Sequence, residues 1–562
     1  MTTAIGTQDK VLRKVFGLKR LRPGQTDVIA RVLDGRSTLA VMPTGAGKSL
    51  CYQLPAVLME QPTLVISPLI ALMKDQCDRL RERGIAAVEL HSGLNAEESA
   101  GAGRALADGS ARIVFTTPEN AVSPAFVAAL SRRPVGLLVA DEAHCIVQWG
   151  HDFRPAFLEL GALRKALGSP PVLALTATAT EPVAAEIARQ LGIPASGIIR
   201  SGVYRPNLHY RVEPVQDERA RLLRALAVVG ESAGKGIVYA STVRTAVEIH
   251  QALLAAGEQA GLYHGKLGAA ERARVQDAFA AGDIRVMVAT NAFGLGIDDP
   301  DIRFVLHLQM PGGLDAYYQE SGRAGRDGQD ATCTLLYLKK DRAVQHFFMA
   351  GRYPGREEIA AVQGRLAQPA PDGGWTAANV AEALDMPQAR VRAIASMLRG
   401  AGWVRLARSG TLHARNASLD DESLNRLLAG THARRNEDEH RLERMVFYAQ
   451  AGSCRWEMLL NHFDPGSQAE ACGHCDSCMR LHSIAAAQAA AGSGDGAQKP
   501  SEKPLGFLVP GASVKVKRYG AGEVIGNDGS TVTIRLASGG ERCFHPDYVR
   551  PVRVSPSRTA SA

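Results

Sequence analysis

The chain has 562 residues, too many for a single hydrophobic core, so about three to five domains are expected. Apolar residues make up 46% and charged residues 22%, which suits a globular protein, and no apolar run is long enough to span a bilayer. The net charge of +8 suits a polyanionic partner, and the opening MTTAIGTQDK lacks the apolar stretch of a signal peptide. Nine cysteines are an odd count; five are scattered singly and four cluster between 454 and 478. That distribution favours reduced cytoplasmic thiols and one metal site over a disulfide framework.

The first element with chemistry in it is FGLKRLRPGQTDVI (16–29), where Arg22-Pro23-Gly24-Gln25 leads into an amphipathic helix. The Gln25 amide offers a donor and an acceptor that match the Hoogsteen edge of adenine. An apolar strand, Thr38 to Val41, then runs into MPTGAGKS (42–49), and a helix is expected from Leu50 to Leu58. Strand, Gly-rich turn and helix make a phosphate cradle from Thr44, Gly45, Ala46 and Gly47. Lys48 would reach the β- and γ-phosphates of ATP, and the Ser49 hydroxyl would ligate Mg²⁺. The usual pattern has Gly where this chain has Met42.

Further apolar strands follow at TLVISP (63–68), ARIVFTTPE (111–119), VGLLVADEAH (135–144) and PVLALTATAT (171–180). Their alternation with helical stretches predicts a parallel α/β sheet covered on both faces. Asp141 and Glu142 end the third of these strands. In a phosphate-loop ATPase the first such acid holds Mg²⁺ and the second orients the attacking water.

MPTGAGKS, DEAH (141–144) and TAT (176–178) together resemble the superfamily 2 helicases. The loop CIVQWGHDFRPAF (145–157) resembles the aromatic-rich loop of RecQ-type DNA helicases. Its Gln148, Trp149, His151, Phe153 and Arg154 suit stacking on unpaired bases, which contributes roughly 1–3 kcal/mol per base. Downstream, ATNAFGLGIDDPDIRFVLH (289–307) and QESGRAGRDG (319–328) resemble the family's fifth and sixth motifs. The resemblance puts Gly294, Asp298 and Gln319 at the ATP site. It also supplies Arg323 and Arg326, near the start of an expected helix, as cations for the transferring γ-phosphate; which of the two touches it stays open. Ser67, Pro68, Thr117, Pro118, Thr176 and Thr178 would line the DNA side or couple it to ATP. DEAH alone would permit an RNA helicase, and a translocase without efficient unwinding is the alternative reading. The RecQ resemblance implies 3′-to-5′ unwinding of DNA in repair or recombination. It further implies a monomer in the bacterial cytoplasm, associated with the nucleoid.

The second half departs from the usual bacterial order, in which the zinc module follows the motor directly. Here an extended polar segment (355–372) comes first, then TAANVAEALDMPQARVRAIASMLRGAGWVRLARSGTLHA (376–414). Thr376 as N-cap, Pro387 opening a second helix, and strands either side of Ser409-Gly410 read as a basic winged helix. It would contact DNA phosphates or serve a structural or protein-binding role, in a chain whose partners are expected to be single- and double-stranded DNA. Cys454 with Cys472, Cys475 and Cys478 supplies four soft ligands for a tetrahedral Zn²⁺, with an iron–sulfur cluster as the chemical rival. This pattern resembles the RecQ zinc module. A small polar stretch reads as linker, and GASVKVKRYGAGEVIGNDGSTVTIRLASGGERCFHPDYVRPV (511–552) as four or five short strands. That last stretch resembles the barrel of UvrD-type helicases and would dock a protein partner or nucleic acid.

The expected architecture is therefore α/β, with RecA-like lobes at 1–204 and 205–342 and a winged-helix-like domain at 343–430. A zinc-binding helical module at 431–484, a flexible linker at 485–504, an SH3- or Tudor-like barrel at 505–554 and a disordered tail at 555–562 complete it.

Overall fold

The computed structural model describes residues 2–130, 133–147, 155–293, 299–350, 353–407, 411–415, 421–465, 470–492, 508–517, 519–527, 531–537 and 539–552. The first lobe is a parallel sheet of β1 (Thr38–Val41), β2 (Thr63–Ile66), β3 (Ala87–Leu90), β4 (Ile113–Thr116), β5 (Leu137–Ala140), β6 (Val172–Thr176) and β7 (Ile198–Arg200). Their spatial order is β3-β4-β2-β5-β6-β1-β7. The near-continuous apolar strands have a reason: Leu138 and Ala140 face one helical layer, Leu137 and Val139 the other. The helix Leu50–Leu58 follows the phosphate loop as the sequence predicts.

The second lobe is a parallel sheet of β8 (Leu208–Pro214), β9 (Lys235–Tyr239), β10 (Ala260–Tyr263), β11 (Val286–Ala289), β12 (Ile302–His307) and β13 (Ala331–Tyr337). Its order is β10-β11-β9-β12-β13-β8. Val238, Val288 and Leu306 face a core made within the lobe. On the opposite face, Ile237, Met287 and Val305 share one core with Met445, Trp456, Leu459, Phe463 and three of the clustered cysteines. The cysteine-bearing segment thus completes the second lobe.

Three elements differ from the sequence expectations. Residues 356–366, expected to be extended, form the helix Arg356–Leu366; Ile359, Val362 and Leu366 share one face and are buried. Glu358 accepts the Gly355 N–H at 2.7 Å, satisfying a first-turn donor. Residues 485–492, expected to be linker, continue the helix Asp476–Gly492, where an alanine-rich run favours helix. The rest of the linker to 507 and the tail from 553 lie outside the described residues. Finally, Arg323 and Arg326 follow the end of the helix Leu314–Ser321 rather than opening one.

The helices Arg356–Leu366, Ala377–Ala383 and Gln388–Gly400 pack around Val380, Val391, Ile394 and Leu398. Thr376 Oγ1 caps the second by accepting from Asn379 N, and Pro387 precedes the third. The antiparallel pair β14 (Val404–Leu406) and β15 (Leu412–Ala414) closes this unit, with Trp375 bridging Leu412. The long helix Asp421–Gln450 then carries the chain to the cysteines. At the carboxyl end lies an antiparallel sheet of β16 (Ser513–Val516), β17 (Gly520–Asn527), β18 (Val532–Leu536), β19 (Glu541–Phe544) and β20 (Val549–Pro551). It packs on the end of the long helix: Phe447 meets Tyr519 and Phe544 at 5.5 and 6.2 Å, and the Arg542 guanidinium lies over Phe447.

Candidate active site and metal centre

The chemistry gathers at the carboxyl ends of the parallel strands, where the backbone leaves the sheet and side chains converge. Along that edge of the first lobe, the phosphate loop follows β1 and Thr176 ends β6. Asp141 follows β5, Ser67 and Pro68 follow β2, and Thr117 and Pro118 follow β4.

Gly45 and Gly47 adopt left-handed backbone, φ 83° and 75°, which allows the tight turn. Arg22 donates to Gly45 O, and the Gln25 amide donates to Ala46 O and Gly47 O at 3.0 and 2.9 Å. Gln25 Oε1 accepts from Arg22 N at 2.7 Å, so the group read as an adenine reader here braces the phosphate loop. Lys48 Nζ donates to Met42 O at 3.3 Å. Burial lowers its pKa, against the opposing pull of Glu142 and Asp141. Ser49 leads into the helix that begins at Leu50 and uses no side-chain cap, so its hydroxyl is not committed to capping.

Burial, then the neighbouring Glu142 charge, pushes the Asp141 carboxyl up to about 7. Glu142 has a left-handed backbone, φ 50°, unusual for a residue with a side chain. Its Oε2 is buried without a hydrogen-bond partner among the described residues, with His144 Nδ1 3.3 Å away. The same His144 nitrogen lies 3.1 Å from Thr176 Oγ1, and Thr178 N donates to Thr176 Oγ1 at 3.3 Å. The acid pair is therefore wired to the TAT segment. A cation beside Asp141 and Ser49 would favour the ionised carboxylate that burial opposes, so the donor set fits a divalent metal.

Across the cleft, a Cβ on Gly45 would sit 3.3 Å from Arg326 Cγ, and one on Gly322 would sit 3.3 Å from Thr44 Cβ. The arginine loop of the second lobe thus lies against the phosphate loop. Arg326 is close enough to Lys48 for their charges to oppose each other. Arg323 is buried and faces Tyr239. Gln319 sits on the helix Leu314–Ser321, four residues before Arg323. Gln148, Trp149, His151, Phe153, Arg154, Gly294 and Asp298 lie outside the described residues. Thr117 Oγ1 caps the short helix that Pro118 opens, and the Ser67 hydroxyl is buried without a hydrogen-bond partner among the described residues.

Cys454, Cys472, Cys475 and Cys478 bring their sulfurs within 4.8 Å of one another. Two of the separations, Cys472 to Cys478 and Cys454 to Cys475, are 3.9 and 4.0 Å. A tetrahedron with Zn–S bonds near 2.3 Å has edges of about 3.8 Å, so the cluster needs little adjustment to close on zinc. Backbone N–H groups of Cys472, Cys475 and Arg455 donate to the sulfurs at 3.3 to 3.4 Å. Hydrogen bonding from Cys475 pulls Cys454 down to about 4 and pushes Cys475 itself up, a conflict that a bound dication would remove. The cluster contains neither nearby histidine: His474 Nδ1 bonds Cys472 O at 2.8 Å and His462 Nε2 lies 3.4 Å from Asp315.

Comparison with known proteins matches residues 22–187 to the DEAD/DEAH box helicase family, 218–328 to the helicase conserved C-terminal domain and 418–479 to the RecQ zinc-binding family. The ATP-dependent DNA helicase RecQ of Synechocystis is 35% identical over 496 residues, covering 84% of this chain and 98% of that protein. The chain belongs to the RecQ helicase family. Bacillus subtilis RecQ is 42% identical over 60% of this chain, which spans 57% of that relative's length. B. subtilis RecS, a probable ATP-dependent DNA helicase, is 39% identical over 63% of this chain and 71% of its own. The DUF1998 helicase MrfA bound to DNA shares the fold, with a TM-score of 0.51 at 18% identity, over 74% of this chain and 63% of that one. As a RecQ-family chain it carries a DEAD/DEAH ATP-using domain, and its four cysteines fit the family's zinc site. Among the described residues, no helix is long and apolar enough to cross a membrane.

The sequence reading missed two features of this site. The contact of Gln25 with the phosphate loop joins residues 21 and 22 apart and has no local signal. Arg205 and Asn207, which hold the arginine loop, lie at 204–208 in a Tyr-Arg-Pro-Asn-Leu run outside every motif singled out above.

Proposed function

We propose that this chain is an ATP-dependent DNA helicase that couples ATP hydrolysis to 3′-to-5′ movement along DNA and to duplex unwinding, in repair or recombination. The observation that carries the reading is the juxtaposition of Arg326 and Gly322 with Gly45 and Thr44 across the interlobe cleft. One lobe supplies the phosphate cradle, Lys48 and the acid pair, and the other supplies the arginines. ATP bound at Thr44 to Ser49 would have Lys48 on its terminal phosphates, with Arg22 and Gln25 bracing the loop that cradles it. Ser49 and Asp141 would hold Mg²⁺, which would supply positive charge to the β- and γ-phosphates. Glu142, with a buried oxygen short of donors, orients the attacking water and accepts its proton. Arg323 and Arg326 balance charge developing on the transferring group.

The DNA face runs along Ser67, Pro68, Thr117, Pro118, Thr176 and Thr178, with the loop 148–154 stacking on bases. His144 Nδ1, 3.1 Å from Thr176 Oγ1 and 3.3 Å from the Glu142 carboxylate, supports a link between that face and hydrolysis. The separate core of 359–428 and its two-stranded closure support a winged-helix-like domain at 343–430 that binds DNA phosphates. The five-stranded sheet supports a small barrel at 505–554 that docks a protein partner. The bacterial relatives support a cytoplasmic, nucleoid-associated protein, which we take to be a monomer.

The test is ATP turnover with single-stranded DNA, single-stranded RNA or no polymer, on wild type, Lys48→Ala and Trp149→Ala. DNA should stimulate most; Lys48→Ala should abolish turnover, and Trp149→Ala should lose stimulation while nucleotide binding persists. Turnover unaffected by Lys48→Ala would contradict the site assignment, and normal stimulation in Trp149→Ala would remove the loop from the DNA path.

A further inference from the structure

We infer that Arg205 is a positioning residue for ATP turnover: it holds the backbone of the arginine-bearing loop in place against the phosphate loop. The inference rests on the ATPase reading above and adds a residue outside the helicase motifs identified in the sequence. Arg205 lies in the connector between β7 of the first lobe and β8 of the second. Its guanidinium donates from one nitrogen to Gly322 O at 2.7 Å and from the other to Ala324 O and Gly325 O at 2.8 and 2.5 Å. Among the described residues it forms no ion pair. Its charge is directed instead at backbone carbonyls of the segment that follows the helix Leu314–Ser321, where a cation also complements the helix dipole.

Asn207 adds a second hold. Its amide donates to Gly325 O and Gln329 O, both at 2.8 Å. A Cβ on Gly325 would come within 2.5 Å of that amide, and φ there is 56°, so this close seat requires glycine. The loop N–H of Gly325 is taken by Ile302 O at 2.8 Å, which pins the loop to β12. The loop pinned in this way carries both Arg323 and Arg326. A planar fork with several diverging donors can serve three carbonyls at once, whereas a lysine ammonium is a point charge on a flexible stem.

The connector is itself fixed on its other side. Tyr318 OH donates to Val203 O at 2.6 Å, and Trp456 Nε1 donates to Leu208 O at 3.0 Å. The Tyr204 ring stands edge-on to Trp456, with centroids 5.0 Å apart. Trp456 follows Cys454 by two residues, so residues 203–208 span from the cysteine module to the arginine loop. The arginines act at the transferring phosphate, so loosening their loop weakens the transition state and leaves ground-state nucleotide binding unchanged.

The experiment compares wild type, Arg205→Ala, Arg205→Lys, Asn207→Ala and Arg326→Ala, each checked for zinc content and melting temperature. DNA-stimulated ATP turnover is measured together with affinities for Mg–ADP and for Mg–ADP–aluminium fluoride, a mimic of the transferring phosphate. Arg205→Ala should lower kcat about 10- to 100-fold, with KM for ATP and ADP affinity within about twofold of wild type. It should also lose the extra affinity for the aluminium fluoride complex, and Arg205→Lys should not restore it. Asn207→Ala, the milder change, should move the same quantities in the same direction and covers the case in which Arg205→Ala does not fold. Unchanged kcat and analogue affinity in Arg205→Ala and Asn207→Ala, alongside a loss in Arg326→Ala, would overturn the positioning role alone. Equal loss of ADP and analogue binding would overturn it in favour of a general structural role. Absence of ATP turnover in the wild type would instead overturn the ATPase reading.

Discussion

Replacing Arg455 with alanine tests how the cysteine module is joined to the second lobe. Arg455 is 3% exposed and binds Asp476 through two nitrogens, at 2.8 and 2.9 Å. It also donates to Tyr448 O at 2.5 Å, while Asp476 Oδ2 accepts Val212 N of β8 at 3.0 Å. The pair is thus the polar seam between the cysteine segment and the lobe sheet. Removing one partner leaves a partly buried carboxylate without its counter-ion and a carbonyl orphaned, which costs about 3–5 kcal/mol. At about 2–4 °C per kcal/mol for a folding unit of this size, the melting temperature should fall by about 6–20 °C. Calorimetry at matched zinc content measures it. The double variant Arg455→Met with Asp476→Asn removes the stranded charge yet keeps an acceptor for Val212 N. It should recover at least half of the loss. A single variant melting within about 2 °C of wild type, or a double variant no better than the single, would refute the reasoning.

Metal analysis should find about one zinc per chain, and Cys472→Ser should lower both zinc content and melting temperature; an iron-bearing, brown protein would contradict the tetrahedral zinc assignment. Arg542→Ala should loosen the carboxyl-terminal sheet from the long helix, because its guanidinium covers Phe447 and Tyr519 at 5.0 and 5.5 Å, a contact worth roughly 0.5–2 kcal/mol. Faster amide hydrogen exchange in β16 to β20 than in wild type is the expected readout, and an unchanged exchange rate would show that the aromatic contacts alone hold the sheet.

The parts of this molecule legible in the sequence are those whose chemistry is local. MPTGAGKS and the apolar strand ending in Asp141-Glu142 each declare their structure within a dozen or so residues, and the four cysteines within 25. The helix Leu50–Leu58 followed from the loop before it. Strands β3 and β7 were missed because they are sheet edges only four and three residues long, with mixed burial. The helix Asp421–Gln450 is rich in charge along its 30 residues, and its few apolar contacts go to different cores at its two ends. The shared core of the second lobe and the cysteine segment joins Leu208 to Trp456, residues 248 apart, and periodicity carries no information over that span. The same holds for the arginine loop. Its residue types were readable, but its seat after a helix end depends on Arg205 and Asn207, more than a hundred residues away.

The most direct test of the central claim is strand separation. A duplex with a 3′ single-stranded tail, one with a 5′ tail and a blunt duplex should be incubated with the full chain, ATP and Mg²⁺, with Glu142→Gln as the hydrolysis-deficient control. The account predicts ATP-dependent unwinding of the 3′-tailed duplex, little of the others, and none by Glu142→Gln. DNA-stimulated hydrolysis without release of either strand from any substrate would contradict it.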